Sequence, residues 1–441
     1  MKRTCFLALM VVVSNVFGQS NNASTSENAK VIVIGAGAAG LYAGKILKEY
    51  NIDFTILEAD DRIGGRLKKN DTFTDFPLDM GAEWIHGHKS LTYKLAIEKG
   101  VAIEKDKTEY KILYNNKRYD LDNPPAHLKP ITRYIGGGAF FGRDETLLSW
   151  ARRKGYGPEY NNFLAAAIND TGGSPTYLSS RKNITEFRKW YSGKNDHKFK
   201  NQTYYDLIYD HVASDIENKV VLNAPVSKVD YRGDKILVTA GGKNYEADRV
   251  IVTVSVNVLK SNLIEFIPAL NDSKTQAINK IGMEAGMKVY LKFDRNFFTD
   301  EAIIGTAVSP MYYDAGHGKS SKQPTLGLFI TGYKAQALSD LSEEAAIQSI
   351  IDELDIIYEG QASKYYTGKY VIQDWKKEPY VLGAYSYSTV DIGKSRKILA
   401  QPIDDKIFFA GEASHFNGHF QTVQGALETG EREALKVVDS F

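Results

Sequence analysis

The sequence predicts an α/β protein, with a Rossmann-like dinucleotide-binding domain assembled from separated stretches of the chain and an α+β domain interleaved with it. The first observation is a β-branched run, Lys30–Ile34, that leads into the glycine-rich segment Gly35–Gly40 and then into a helical pattern of apolar residues. The second is that comparable buried-strand runs return much later, at 249–253 and 406–410. The third is that the chain between these runs is long enough to build a second domain.

Length and composition place the chain among ordinary globular proteins. It has 441 residues, of which 43% are hydrophobic and 25% are charged, so a large core and about two or three domains are expected. Its 55 basic residues are balanced by 54 acidic ones, which gives a net charge of +1. This balance does not favour binding to nucleic acid, because neutralising phosphates requires an excess of cations.

The first residues predict an export signal that is not part of the fold. Lys2 and Arg3 precede the apolar run Cys5–Val13, and short residues follow up to Gly18. This order is typical of a Sec-type signal peptide, residues 1–18, which directs a protein to the periplasm or to the outside of the cell. The apolar run is less than half of the roughly 20 residues that a membrane helix needs. We therefore expect cleavage and no stable membrane anchor, with a retained anchor as the alternative.

Cleavage would also remove Cys5, the only cysteine of the chain. The mature protein would then have no disulfide, no thiolate metal site and no thioether bond to a cofactor. The sequence predicts no bound metal, and any cofactor is expected to bind noncovalently.

The glycine-rich segment predicts a site for a dinucleotide pyrophosphate. Gly35 permits the tight turn after the strand, Gly37 lets the backbone approach a phosphate, and Gly40 lets the helix lie close to the sheet. A second strand ends at Glu58, whose carboxylate can accept hydrogen bonds from an adenosine ribose. An isolated GxGxxG is often a mere tight turn, but strand, glycines, helix, strand and acid in this order indicate dinucleotide binding.

A second phosphate-binding segment follows Glu58. Gly64, Gly65 and Arg66 offer backbone N–H groups and a guanidinium that can bind the pyrophosphate from its other side. The segment resembles the E-A-x-x-R-x-G-G-R signature of the flavin-containing amine oxidase family, which includes monoamine oxidases, polyamine and spermine oxidases and lysine-specific histone demethylases. The family often has an arginine where Asp60 stands here. The resemblance implies a discontinuous, GR2-type FAD-binding domain.

The resemblance also implies the domain boundaries. The FAD-binding domain would comprise residues 29–90, 210–281 and 396–441. The substrate-binding domain would comprise a helical part, 91–209, and a sheet part, 282–395. The match to the family is weakest in the helical part, so the resemblance is least informative about the substrate contacts that this part makes.

Further contacts to FAD are implied by the same resemblance. The helix that begins near Thr422 and Val423 would point its N-terminus at the flavin and stabilise negative charge on it. Glu412 is expected near the pyrophosphate and ribityl chain, with an exposed turn acid as the alternative. The cofactor-binding residues implied by motif and resemblance are Gly35, Ala36, Gly37, Ala39, Gly40, Glu58, Arg66, Gly81, Ala82, Glu83, Trp84, Val226, Trp375, Gly411, Glu412, Thr422 and Val423.

Three residues are candidates for the reaction itself. Lys288 shares a strand face with Tyr290 and Lys292, and it matches the family lysine that holds a water beside flavin N5; the alternative is a solvated surface lysine. Tyr385, in a segment that resembles W-x-x-x-P-x-x-x-G-x-Y-S, would line the amine channel, because an aromatic face attracts an ammonium. His86, in Trp-Ile-His-Gly, is a candidate substrate-site residue. Its alternative is a loop histidine that binds a backbone carbonyl.

The resemblance implies an enzyme that oxidises a small-molecule amine, with a polyamine as first choice, by hydride transfer to flavin N5. The product would be an imine and then an aldehyde or ketone, with O2 reduced to H2O2. The alternatives are an L-amino-acid oxidase, which needs an arginine for the substrate carboxylate, an FAD-dependent desaturase or dehydrogenase, and a noncatalytic flavin-binding protein. Thr422 stands where monoamine oxidases have a second aromatic wall, so an open pocket is expected. A polyamine needs acidic residues along its path, and either Glu83 or Asp and Glu residues of the helical part, 91–209, could supply them.

Overall fold

The computed structural model describes most of the chain. The predicted export signal, residues 1–18, lies outside the described residues. Among the helices of the described part, none is long and apolar enough to cross a membrane. The described residues are 30–135, 143–187, 193, 195–298, 301–319, 321 and 323–441.

A five-stranded parallel sheet forms the first layer. The run Lys30–Ile34 is its middle strand and pairs in register with Asp53–Leu57 on one side and Arg249–Val252 on the other. Helices and a second sheet bury both faces, which explains why these strands are almost continuously apolar. The sheet therefore unites distant stretches of the chain. Its order is Val220–Val221, Asp53–Leu57, Lys30–Ile34, Arg249–Val252 and Ile407–Phe409.

Two helices cover one face of the parallel sheet, Ala38–Glu49 and Val423–Asp439. They lie in close contact, since a Cβ added to Gly430 would come within 2.2 Å of the carbonyl oxygen of Ala39. Each helix follows a strand of the parallel sheet, so both begin at the edge where the strands end. Helix N-termini at that edge can bind negatively charged groups.

A four-stranded sheet covers the opposite face. Gly241 and Gly242 connect two of its strands in a hairpin, and both glycines have positive φ, at 54° and 77°, as a two-residue hairpin turn requires. The strands are Lys243–Ala247, Ile236–Ala240, Val226–Asp230 and Glu265–Ile267.

A seven-stranded sheet forms the second layer. Two of its strands, Glu109–Tyr114 and Lys117–Asp120, come from the stretch in which helical patterning is richest. Asn115 and Asn116 connect them with φ of 49° and 57°, and asparagine is one of the few residues that tolerate such a turn. The sheet order is Tyr366–Asp374, Gly286–Phe293, Thr325–Thr331, Met311–Asp314, Glu301–Ile304, Glu109–Tyr114 and Lys117–Asp120.

Small sheets and helices complete the described fold. One small sheet pairs His86 with Asp196 and so brings residues from two distant segments together. The small sheets join Lys69–Asn70 with Leu78–Asp79, Ile85–His86 with Asp196–Phe199 and Ile103–Lys105, and Ile281–Met283 with Ser386–Ser388. The other α-helices are Leu91–Glu98, Lys129–Ile135, Leu147–Arg153, Asn161–Ala167, Lys182–Phe187, Tyr204–Ile208, Val256–Lys260, Asp272–Lys280, Gly332–Ser339, Glu343–Ile357, Gln361–Tyr365 and Ser395–Leu399.

Candidate active site

A cavity of about 560 Å³ lies where the strands of the parallel sheet end, and the seven-stranded sheet supplies its other wall. All the site residues predicted from the sequence line this cavity, with the exceptions of Ala36 and Gly40. Those two lie directly behind the wall: the N–H of Ala36 donates to the Glu58 carboxylate at 2.5 Å, and Gly40 packs on Gly35. The fold thus brings together residues that are spread over almost the whole chain.

The three glycines of the first motif differ in backbone conformation and in the space that is available for a side chain. Gly35 has φ of +101°, a conformation that favours glycine. A Cβ on Gly40 would lie 2.0 Å from the carbonyl oxygen of Gly35, so the helix packs there without room for a side chain. Gly37 has an ordinary φ of −76°, and a Cβ on it would meet nothing within 4 Å. The space beside Gly37 is open cavity, which fits a pyrophosphate that approaches the backbone.

The Glu58 side chain is buried at the end of the second strand. Its carboxylate accepts hydrogen bonds from the N–H groups of Ala36, at 2.5 Å, and Asp60, at 2.9 Å. Burial raises the pKa of Glu58, and these two N–H groups oppose that shift. The bonds fix the carboxylate in the wall of the cavity, at the position predicted for a ribose contact.

Arg66 and Glu412 form an ion pair across the cavity wall. Arg66 Nη1 lies 3.0 Å from Glu412 Oε1 and donates to the carbonyl of Ala384 at 2.8 Å. The second oxygen of Glu412 accepts from the hydroxyl of Ser386 at 2.7 Å. Burial alone would raise the pKa of Glu412, but Arg66 and Arg396 hold that pKa below its usual value. Glu412 is therefore a buried carboxylate that is paired with Arg66 and lies near the charge of Arg396, rather than an exposed turn acid.

Replacing Glu412 by alanine should destabilise the fold by about 3 kcal/mol, because it removes the partner of Arg66 and the carboxylate that most offsets the buried charge of Arg396. Urea unfolding of the purified variant measures this loss. Glu49→Ala is the matched control, since it removes an exposed carboxylate paired with Lys45, and such surface pairs contribute about 0–1 kcal/mol. Equal stability losses in the two variants would contradict the assigned role of Glu412.

The last helix begins at the cavity with a side-chain cap. The Thr422 hydroxyl accepts from the N–H of Gly425 at 3.1 Å and donates to the carbonyl of His419 at 2.7 Å. This cap explains why a threonine stands at the position. The first N–H groups of the helix, near Val423, have no intrahelical acceptor and lie at the cavity wall, where they can stabilise negative charge.

One group of described side chains has donor atoms close enough for a metal ion: His415, His419 and Glu428. Glu428 Oε2 lies 2.9 Å from Nε2 of His415 and 2.5 Å from Nδ1 of His419. However, Nδ1 of His415 accepts the N–H groups of Asn417, at 3.3 Å, and His419, at 3.0 Å. The ring proton of His415 is therefore on Nε2, where a metal would have to bind. This geometry favours a hydrogen-bonded cluster that fixes the loop before the last helix.

Lys288 lies in the wall of the cavity with 2% of its side chain exposed. Its Nζ is 2.6 Å from Glu83 Oε2 and donates to the carbonyl of Asp79 at 3.0 Å. The Tyr313 hydroxyl donates to the same Glu83 oxygen at 2.8 Å, and Lys198 Nζ lies 3.6 Å from the other one. Lys288 is thus a buried group with charged partners and not a solvated surface lysine.

The substrate side of the cavity combines aromatic rings with carboxylates. The Tyr385 ring lies 6.5 Å from that of Phe329, and its hydroxyl donates to the backbone carbonyl of Asp170 at 3.0 Å. His86 Nδ1 is 3.3 Å from Asp196 Oδ1. Desolvation would lower the pKa of His86, but the Asp196 carboxylate raises it. Desolvation raises the pKa of Asp170, and the nearby Asp196 adds to that shift.

The sequence analysis missed several residues on this side. Tyr110, Asp170, Asp196 and Phe329 line the cavity, and Lys198 lies behind it. Most of them come from the stretch where the family match is weakest. No spacing rule connects them, because Asp196 reaches His86 only through strand pairing.

The chain is similar in sequence to a known protein family and to several characterised proteins. The sequence pattern of the family "Flavin containing amine oxidoreductase" matches residues 38–182 and 162–438. The chain is 29% identical over 456 residues to "Probable polyamine oxidase 4" of Arabidopsis thaliana, covering 95% of this chain and 88% of that protein. It is 28% identical over 454 residues to "Lysine-specific histone demethylase 1B" of Mus musculus, covering 93% of this chain but 53% of that protein. The chain therefore spans about half the length of the demethylase.

Solved structures show the same fold. A putrescine oxidase, solved as wild type bound to putrescine, superposes with a TM-score of 0.77 at 22% identity, covering 93% of this chain and 99% of that one. Cyclohexylamine oxidase from Brevibacterium oxydans IH-35A gives a TM-score of 0.75 at 18% identity, covering 93% and 99%. The predicted α/β fold is confirmed.

Proposed function

Because this chain belongs to the family of flavin-containing amine oxidoreductases, we propose that it oxidises a di- or polyamine, with O2 as the electron acceptor. The family membership makes it an amine oxidase with FAD as its cofactor. The choice of a di- or polyamine depends on one observation: two carboxylates, Asp170 and Asp196, line the same cavity as Lys288 and Tyr385.

The net reaction converts a primary amine, O2 and water into an aldehyde, ammonia and H2O2. When bound, FAD supplies the two-electron acceptor that takes a hydride equivalent from the carbon beside the amine nitrogen and passes the electrons to O2. Water hydrolyses the resulting imine. No protein base needs to remove the carbon proton in this scheme.

The aromatic residues position the reacting end of the amine. Tyr385 and Phe329 present their rings to the cavity, and the Trp84 indole is held by a hydrogen bond to Asp106 at 3.0 Å. Aromatic faces attract an ammonium and exclude water from the carbon next to it. The Tyr385 hydroxyl is occupied by a backbone carbonyl, so its ring orientation is fixed before substrate binds.

The carboxylates position the other end of the substrate. A di- or polyamine carries at least one further ammonium, which is stabilised by negative charge in a partly desolvated site. Asp170 and Asp196 supply that charge. Asp196 is bonded to the His86 ring, whereas Glu83 faces the two ammonium groups of Lys288 and Lys198. Of the two alternatives that the sequence left open, this assignment favours acidic residues of the helical part over Glu83.

An L-amino acid fits the cavity less well. Of the described residues that line it, Arg62 and Arg66 are the arginines, and both belong to the segment predicted to bind pyrophosphate. Arg66 is also paired with Glu412. A substrate carboxylate would therefore face Asp170 and Asp196 without a free arginine among the described lining residues to bind it.

We expect the KM for putrescine to rise as the pH falls, more steeply than the KM for butylamine. As the pH falls, His86, whose pKa the Asp196 carboxylate raises above its usual value, gains a positive charge that repels a second ammonium. The ratio of the two KM values between about pH 6 and pH 9 measures this effect apart from protonation of the reacting nitrogen. His86→Gln should flatten the ratio, and a ratio that is constant with pH in the wild-type protein would contradict the assignment.

Peroxide release in air tests the proposed function as a whole. Putrescine, spermidine, spermine, acetylated polyamines, monoamines and L-amino acids are offered to the purified protein. We expect H2O2 with di- or polyamines foremost. Substrate consumption without H2O2 would indicate a dehydrogenase, and H2O2 only with amino acids would indicate the alternative oxidase.

We further propose, from the pattern of residues 1–18 alone, that the enzyme is exported and acts in the periplasm or outside the cell. N-terminal sequencing of the protein from its native source tests this. A mature N-terminus shortly after Gly18 is the expected result, and an intact leader on intracellular protein would contradict it.

A further inference from the structure

The charge of Lys288 is cancelled by its partner. Glu83 lies 2.6 Å from it, with 13% of its side chain exposed. Burial would raise the pKa of Glu83, but Lys288 and Lys198 lower it to about 2, so the carboxylate is ionised. A pair formed by one ammonium and one carboxylate has no net charge. Lys288 and Glu83 alone therefore cannot provide a positive cavity wall.

A second ammonium, Lys198, faces the other oxygen of Glu83. Its Nζ lies 3.6 Å from Glu83 Oε1, and 7% of its side chain is exposed. The rings of Trp84, at 5.0 Å, and Tyr313, at 5.2 Å, flank it, which is a favourable place for a cation. Lys198 does not line the cavity, so it acts on the cavity through Glu83 and through its charge.

Two ammonium groups and one carboxylate leave a net charge of +1 in this trio of Lys198, Glu83 and Lys288. Asp79, which is next to it, changes this sum little at neutral pH, because burial raises the pKa of Asp79 to about 8. The Lys319 ammonium donates to the carbonyl of Phe199. Lys319 is unchanged in all the variants that test this charge, so it does not affect the differences between them.

We propose that Lys198 is a positioning residue for the oxidase reaction: by offsetting Glu83, it leaves the trio with one positive charge at the wall where Lys288 meets the cavity. That charge stabilises the negative charge that develops when O2 is reduced. This inference rests on the proposed function, because it requires FAD in this cavity and O2 as the acceptor.

Charge variants of the FAD-loaded protein test the inference. Lys198→Met brings the net charge of the trio to 0, Glu83→Gln brings it to +2, and the double variant restores +1. Each protein is reduced with dithionite without oxygen and then mixed with O2, and its flavin reduction potential is measured separately. We expect Lys198→Met to lower the potential and slow reoxidation about tenfold. Glu83→Gln should raise the potential, and the double variant should return to within about threefold of the wild-type rate.

The double variant separates a charge effect from a structural one. If Lys198 contributed only packing, the additional loss of Glu83 would not restore the reoxidation rate. A double variant that is reoxidised as slowly as Lys198→Met would therefore overturn the inference. Lys105→Met, which removes an exposed lysine of the neighbouring strand, is the control and should change neither readout, since water screens its charge. If Lys198→Met does not retain FAD, the flavin reduction potential of Glu83→Gln tests the inference instead. A potential equal to that of the wild-type protein would overturn it. A wild-type protein that is not reoxidised by O2 would instead reject the proposed function.

Discussion

Lys288→Met should slow reoxidation of the reduced enzyme by O2 about 100-fold, as expected when an electrostatic group that stabilises developing charge is removed. FAD should stay bound, because the glycines, Glu58 and Glu412 that line the nucleotide side are unchanged. The fold should survive, since Glu83 keeps Lys198 and Tyr313 as partners. Stopped-flow mixing of the reduced protein with O2 measures the effect.

Lys292→Met is the matched control for this prediction. Lys292 lies four residues further along the same strand and does not line the cavity. Its ammonium is 5.1 Å from the centre of the Phe73 ring. Its loss should leave reoxidation unchanged. Wild-type reoxidation in Lys288→Met, or equal slowing in the two variants, would remove Lys288 from its assigned role.

Gly37→Val should fold normally but bind FAD at least about 100-fold more weakly, a loss of roughly 2.7 kcal/mol. The φ of Gly37 is −76°, and a Cβ there meets no protein atom within 4 Å, so the added side chain occupies only the open cavity. Gly40→Ala should instead lose about 3 kcal/mol of folding stability, because its Cβ would lie 2.0 Å from the oxygen of Gly35.

Thermal unfolding without FAD and titration with FAD separate these two effects. Gly37→Val should match the wild type in unfolding and differ in affinity, and Gly40→Ala should unfold at lower temperature. Undiminished affinity in a folded Gly37→Val protein would show that the space beside Gly37 is not where the cofactor binds.

The nucleotide side of the site could be predicted because local rules determine it. A strand that runs into Gly35, a tight helix contact at Gly40 and an acid at Glu58 leave a pattern within about 30 residues, as in any βαβ unit. These elements are present in the structure.

The substrate side could not be predicted in the same way. Asp196 and His86 meet through strand pairing between segments 110 positions apart, and Phe329, in the seven-stranded sheet, meets Tyr385, in the segment before the strand Ser386–Ser388. Lys198 has no sequence signal beyond being a lysine in a strand, because its role depends on where Glu83 points. Such contacts are set by tertiary packing, which periodicity and spacing do not encode.

Anaerobic mixing of the purified protein with putrescine tests the central claim most directly. The protein should carry FAD that denaturation releases into solution, and a di- or polyamine should bleach the oxidised flavin spectrum, which returns when air is admitted. A folded protein that takes up no FAD, or one whose flavin stays oxidised with every amine offered, would contradict the account.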